Sequence, residues 1–114
     1  MDLNKYAEYV YNVAKNKGFH KNDIFGNFVA NIHGECSELW EAYRKDKLNE
    51  LCDKYELMRQ HNIEPLTCIE EELADIIIRS LDIAHTYNID IEKAIKNKMK
   101  YNETREYRHG NKLA

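Results

Sequence analysis

FGNFVANIHGECSELWEAYRK, residues 25–45, is the stretch whose reading decides how this chain folds. Phe25, Phe28, Val29, Ile32, Cys36, Leu39, Trp40 and Tyr43 recur three and four apart, the spacing of one helix face. Asn22 or Asp23, just upstream, offers a side chain to cap the first turn. Glu35 and Glu38 fall at the border of this apolar stripe, not on the opposite, wet side. At about 100° per residue, both sit on one margin of the stripe. A helix that places two carboxylates there either flanks its core with solvated charge or faces a cleft.

The same pattern extends outward in both directions. Leu3, Tyr6, Ala7, Val10, Val13 and Ala14 predict a helix over residues 2–16, with Gly18 as its stop. Downstream, Thr67 followed by Glu70 is a capping-box signature. It opens a helix through EEELADIIIRSLDIAHTY that Asn88 can end. Asp90 can cap a last helix, IEKAIKNKMKYNETR. Between residues 46 and 66, Leu48, Leu51, Cys52, Tyr55 and Met58 predict a short amphipathic helix and a loop ending at Pro65. One Pro and four Gly leave few breakers, which favours long helices. The expectation is one all-α domain, a bundle of four to five helices.

Composition excludes several classes. Charged residues make up 32% and hydrophobic residues 43%, a balance for a folded soluble domain. A net charge of -3 provides no general field for a nucleic-acid polymer. No apolar run reaches membrane-spanning length and the N-terminus has no signal-peptide pattern, so no membrane partner is expected. Cys36, Cys52 and Cys68 form no CxxC pair and read as reduced thiols of a cytoplasmic protein. His33, His61, His85 and His109 lack zinc spacing. A P-loop and a Ser-His-Asp order are also missing.

The acids repeat between helices. Glu72 and Asp75 lie three apart beside the stripe of their helix, as Glu35 and Glu38 do beside theirs. If the two stripes pack, four carboxylates crowd one partly dry volume, where they take up protons or bind a cation. Oxygen donors select hard ions, Mg²⁺ first and Mn²⁺ next. The plainer reading is a solvated flank, with Glu70 and Glu71 answering the helix dipole. Arg79 reads as a neutraliser of Asp75 or Asp82. On the last helix Lys98, Asn102 and Arg105 share one face, continuing the line of Ile91, Ala94 and Ile95, which is expected to point inward. Lys and Arg there suit phosphate oxygens, or else a helix C-terminus. An i,i+3 Glu-His pattern, which a di-iron bundle needs, is not present.

Taken together, these residues resemble the MazG-like, all-α nucleoside triphosphate pyrophosphohydrolases. Their pattern is ExxE, a spacer, then ExxD. Here it is Glu35-Cys-Ser-Glu38, a spacer of 33 residues, and Glu72-Leu-Ala-Asp75, followed by Lys98, Asn102 and Arg105 in KMKYNETR. The similarity spans residues 19–112. Two departures stand out: the spacer is long, so 46–66 reads as an insertion, and Gly34 stands where the family carries an acid. Gly34 is instead expected to admit a closely packed helix. The resemblance implies Mg²⁺-dependent hydrolysis of an NTP or dNTP to the monophosphate and pyrophosphate. It implies Mg²⁺ on Glu35, Glu38, Glu72 and Asp75, with Glu38 also serving the attacking water as catalytic residue. Lys98, Asn102 and Arg105 would bind phosphate, and His20, after Phe19, would lie near the base or phosphates. Trp40 either stacks on a base or packs in a core or interface. A homodimer or homotetramer is also implied. A phosphoribosyl-ATP pyrophosphohydrolase and a non-catalytic helical interaction module are the alternatives.

Overall fold

The computed structural model describes residues 2–113. Its elements are helices α1 (Leu3–Asn16), α2 (Phe25–Arg44), α3 (Tyr55–Gln60), α4 (Cys68–Thr86) and α5 (Ile91–Thr104), then a four-residue turn, α6 (Arg108–Asn111). The turn is interrupted by left-handed backbone at His109 and Gly110. The all-α expectation holds among the described residues.

Side-chain caps define most helix ends. Asp2 accepts hydrogen bonds from the backbone N–H groups of Asn4 and Lys5 and starts α1. Gly18, at φ 94°, ends it, and Phe19 N–H returns to Ala14 O at 3.0 Å. That left-handed exit is one glycine adopts without a Cβ penalty. Thr67 and Glu70 form the full capping box of α4. Asn88, at φ 55°, takes the left-handed position after α4. Asp90 accepts from Lys93 N–H at 3.1 Å and opens α5.

Two local expectations are corrected. α2 has no side-chain cap: Ile24 stands at the N-cap, and the Asp23 carboxylate accepts from His20 Nδ1 at 2.9 Å instead. In the 46–66 segment only Tyr55–Gln60 is helical. Leu48 and Leu51 lie in a strap pinned to the start of α4. Cys68 N–H donates to Glu50 O (2.8 Å), Ile69 N–H to Leu48 O (3.0 Å), and Cys52 N–H to Leu66 O (2.8 Å). A helix start leaves orphan N–H donors. The strap satisfies two of those of α4, and a helix through Leu48 and Leu51 would withdraw these carbonyls.

α4 is the central rod, with α1 on one side and α2 on the other. α2 and α4 run antiparallel: Phe25 and Phe28 at the start of α2 meet Tyr87 past the end of α4, and Glu35 meets Arg79. Ala7, Val10, Leu81 and Ala84 form the buried contact between α1 and α4. α5 packs on α1, tied by Asn4, whose amide donates to Asp90 Oδ1 (2.8 Å) and accepts from Ile91 N–H (3.0 Å). The inward line expected on α5 is therefore not formed within the chain, since Ala94 and Ile95 are exposed and only Ile91 is half-buried. The stripe of α2 is likewise wider than α4 can cover. Phe28, Ile32 and Leu39 are covered, while Trp40 and Tyr43 remain about three-fifths exposed, at 59% and 60%.

Candidate metal centre

The antiparallel pairing of α2 and α4 brings the two acid pairs face to face. Glu35, Glu38 and Glu72 each offer a carboxylate oxygen within 4.8 Å of the others. Glu71, Glu72 and Asp75 form a second such triad. The triads share Glu72, so all four acids singled out by spacing contribute, joined by Glu71. Helix-dipole reasoning assigned Glu71 to solvent. Its i,i+4 relation to Asp75 was the available signal that both share a face.

Burial and mutual repulsion set the electrostatics of this cluster. Loss of water around Glu72 is the largest influence, followed by its hydrogen bond with Glu38 and the charges of Glu38, Glu71 and Asp75. Together they push its carboxyl up to about 8 from the ordinary 4.5. Asp75 is also raised, by burial first and then by Glu35 and Glu71, with Lys54 and Arg79 partly offsetting the rise. Glu35 is the buried charged residue of the described chain. Glu35 Oε2 and Glu72 Oε2 are buried without a hydrogen-bond partner among the described residues. Buried carboxylate oxygens are normally satisfied, and leaving one bare carries a desolvation cost.

Two cations border the cluster. Arg79 donates from Nε (3.3 Å) and a terminal nitrogen (3.2 Å) to Glu35 Oε1. It thus pairs with Glu35, correcting the assignment to Asp75 or Asp82. Lys54, from the strap, bonds the Glu71 carboxylate, and that contact raises the pKa of its ammonium. No sequence motif marks Lys54, because its position depends on the strap.

Beside the cluster, a groove of about 650 Å³ runs between α1 and α2 over α4. Asp75 and Arg79 belong to both cluster and groove. Tyr9, Val13, Phe19, Phe28 and Ile78 give it apolar walls, and Lys17, Asn27 and Asn31 give polar points. His20 forms part of the wall, with its side chain only 2% exposed. Its two nitrogens face carboxylates, which only accept. Nδ1 donates to Asp23 (2.9 Å) and Nε2 to Asp82 (2.8 Å). Tyr11 and Phe28 lie against the ring, with centroids at 4.6 Å and 5.5 Å. His20 thus locks the 17–24 segment onto α4 and presents no free nitrogen to the groove.

Three other candidate residues lie outside the groove lining. Lys98 and Arg105 stand over the Tyr101 ring at 5.0 Å and 5.6 Å, and half-buried Asn102 is on the same helix, which packs on α1. Trp40 packs against Tyr43 at 5.5 Å and is also outside the groove. Gly34 faces open space: a Cβ there would meet nothing within 4 Å, so the expected close helix approach is not found. No helix among the described residues is long and apolar enough to cross a membrane. No family model, curated protein or solved structure matches this chain.

Proposed function

We propose that the protein is a Mg²⁺-dependent hydrolase that converts a nucleoside or deoxynucleoside triphosphate to the monophosphate and pyrophosphate. The observation that carries this reading is the pair of bare, buried oxygens, Glu35 Oε2 and Glu72 Oε2, inside overlapping carboxylate triads from two facing helices. The donor set fits a hard divalent cation: it is all oxygen, closely spaced, and too negative to stay fully ionised alone. Glu35, Glu38, Glu72 and Asp75 would hold Mg²⁺, or Mn²⁺ in its place. When bound, the ion supplies Lewis-acid polarisation of phosphoryl oxygens and a more acidic water.

The remaining work falls to the chain itself. Glu38 is the exposed acid of its triad, suited to orient the attacking water and accept its proton. Arg79, half-buried and anchored by Glu35, turns its guanidinium toward the groove mouth, where a planar fork suits phosphate oxygens. Lys17, also in the groove lining, adds a second positive charge. The groove has the volume of a ligand site, and aromatic walls with amide groups suit a nucleoside. In this reading Arg79 and Lys17 take the phosphate role that the sequence pattern gave to Lys98, Asn102 and Arg105. His20 shapes the wall.

A panel of NTPs and dNTPs incubated with the protein and Mg²⁺ tests the reading by chromatography of the products. The expected outcome is monophosphate and pyrophosphate in equal amounts from at least one substrate. Orthophosphate as the only released anion would refute the cleavage position.

A further inference from the structure

The layer α1–α4–α2 has two sides, and only one carries the groove. Asn27 and Asn31 of α2, with Asp75, Ile78 and Asp82 of α4, line that side. At about 100° per residue, Val29, Cys36, Trp40 and Tyr43 fall on the other flank of α2. Leu73 and Ile77 do the same on α4. Because these helices are antiparallel, both flanks turn to the same side of the layer, away from the groove. Side chains there are bare: Trp40 is 59% exposed, Ile77 58% and Leu73 46%. None of these six residues is charged.

The molecule exposes far more surface than its mass warrants. Its accessible area is 9122 Å² at 13.6 kDa. A compact monomer of that mass exposes about 6,600 Å², leaving an excess of about 2,500 Å². The radius of gyration is 16.7 Å, against about 13 Å for a compact domain of this length. An obligate homodimer interface removes about 1,000–2,500 Å² from each partner, the same range as the excess. A scattering of exposed apolar residues is ordinary, but a continuous uncharged flank over two helices is not.

We propose that this flank is the two-fold interface of a homodimer, in which α2 and α4 of one copy pack against α2 and α4 of a second. An isologous contact sets each patch against itself, so an uncharged patch avoids like-charge juxtaposition. A charged partner, such as a nucleic acid, finds no complement here. The two grooves open outward, one on each outer side of the dimer. The inference does not depend on the metal reading, since it rests on the opposite side of the layer.

Sedimentation equilibrium of the full chain tests it, with Trp40 emission as a second readout, Trp40 being the single tryptophan. The wild type is expected at twice the monomer mass, with blue-shifted emission that moves red on dilution as the dimer dissociates. Trp40→Glu and Ile77→Glu are expected to abolish the doubled mass, while Ile24→Glu, in the groove lining, leaves it. A wild type that sediments as a monomer, with solvent-exposed emission at every concentration, overturns the proposal. A dimer that survives both flank substitutions, or that only Ile24→Glu dissociates, also overturns it. Should the flank variants fail to fold, the wild-type mass and emission still decide.

Discussion

Glu72 belongs to both carboxylate triads, and its protonation couples the site to stability. Its folded value of about 8 lies above the ordinary 4.5, so the folded chain keeps a proton that the unfolded chain has lost. The resulting destabilisation is absent below pH 4.5, grows as pH rises through the window to about 8, and is complete above it. Without divalent cations the Tm of the wild type should fall as pH is raised through this window. Glu72→Gln should flatten that fall, which thermal denaturation at a series of pH values measures directly. Glu38→Gln should lower kcat by about 10²–10⁴-fold while leaving the fold intact, as expected for loss of a general base. Circular dichroism alongside the rate assay separates these effects. Helical spacing alone revealed the ExxE and ExxD pairs, because both ride on regular helices. Glu71 and Lys54 were hidden because their partnership depends on a strap. The lock on His20 was hidden because Asp82 lies 62 residues away in sequence.

At the scale of elements, short-range chemistry is what the sequence displays. Thr67 with Glu70, Gly18, Asn88 and Asp90 each act within a few residues, and each was legible. The 46–66 segment was not, because its carbonyls answer the N–H groups of α4 instead of each other. Asp23 failed as a cap because a histidine claimed it first. Thr67→Ala should cost about 1 kcal/mol by leaving the first turn of α4 uncapped. Gly34 gives the opposite sign. It is helical and its Cβ position is open, so Gly34→Ala should stabilise the chain by about 0.5–1 kcal/mol through helix propensity. Urea unfolding of both variants beside the wild type reads these values; a destabilised Gly34→Ala would mean that something packs on that face.

The whole molecule is an antiparallel layer in which α4 is shared by a thin core on one side and an acidic cleft on the other. Periodicity identifies which residues make stripes but not which stripes meet. It therefore left open that α5 would pack on α1, carrying Lys98, Asn102 and Arg105 away from the groove lining. It also left open that half of the α2 stripe would stay bare. The central claim is that facing carboxylates from α2 and α4 form a divalent-cation site. The direct measurement is the thermal midpoint against Mg²⁺ concentration, near pH 8, for wild type and Glu72→Gln. The wild type should gain stability with saturating Mg²⁺, about 2.7 kcal/mol at one hundred times Kd, and the variant should gain little. Equal midpoints with and without Mg²⁺, or the same gain in the variant, would contradict the claim.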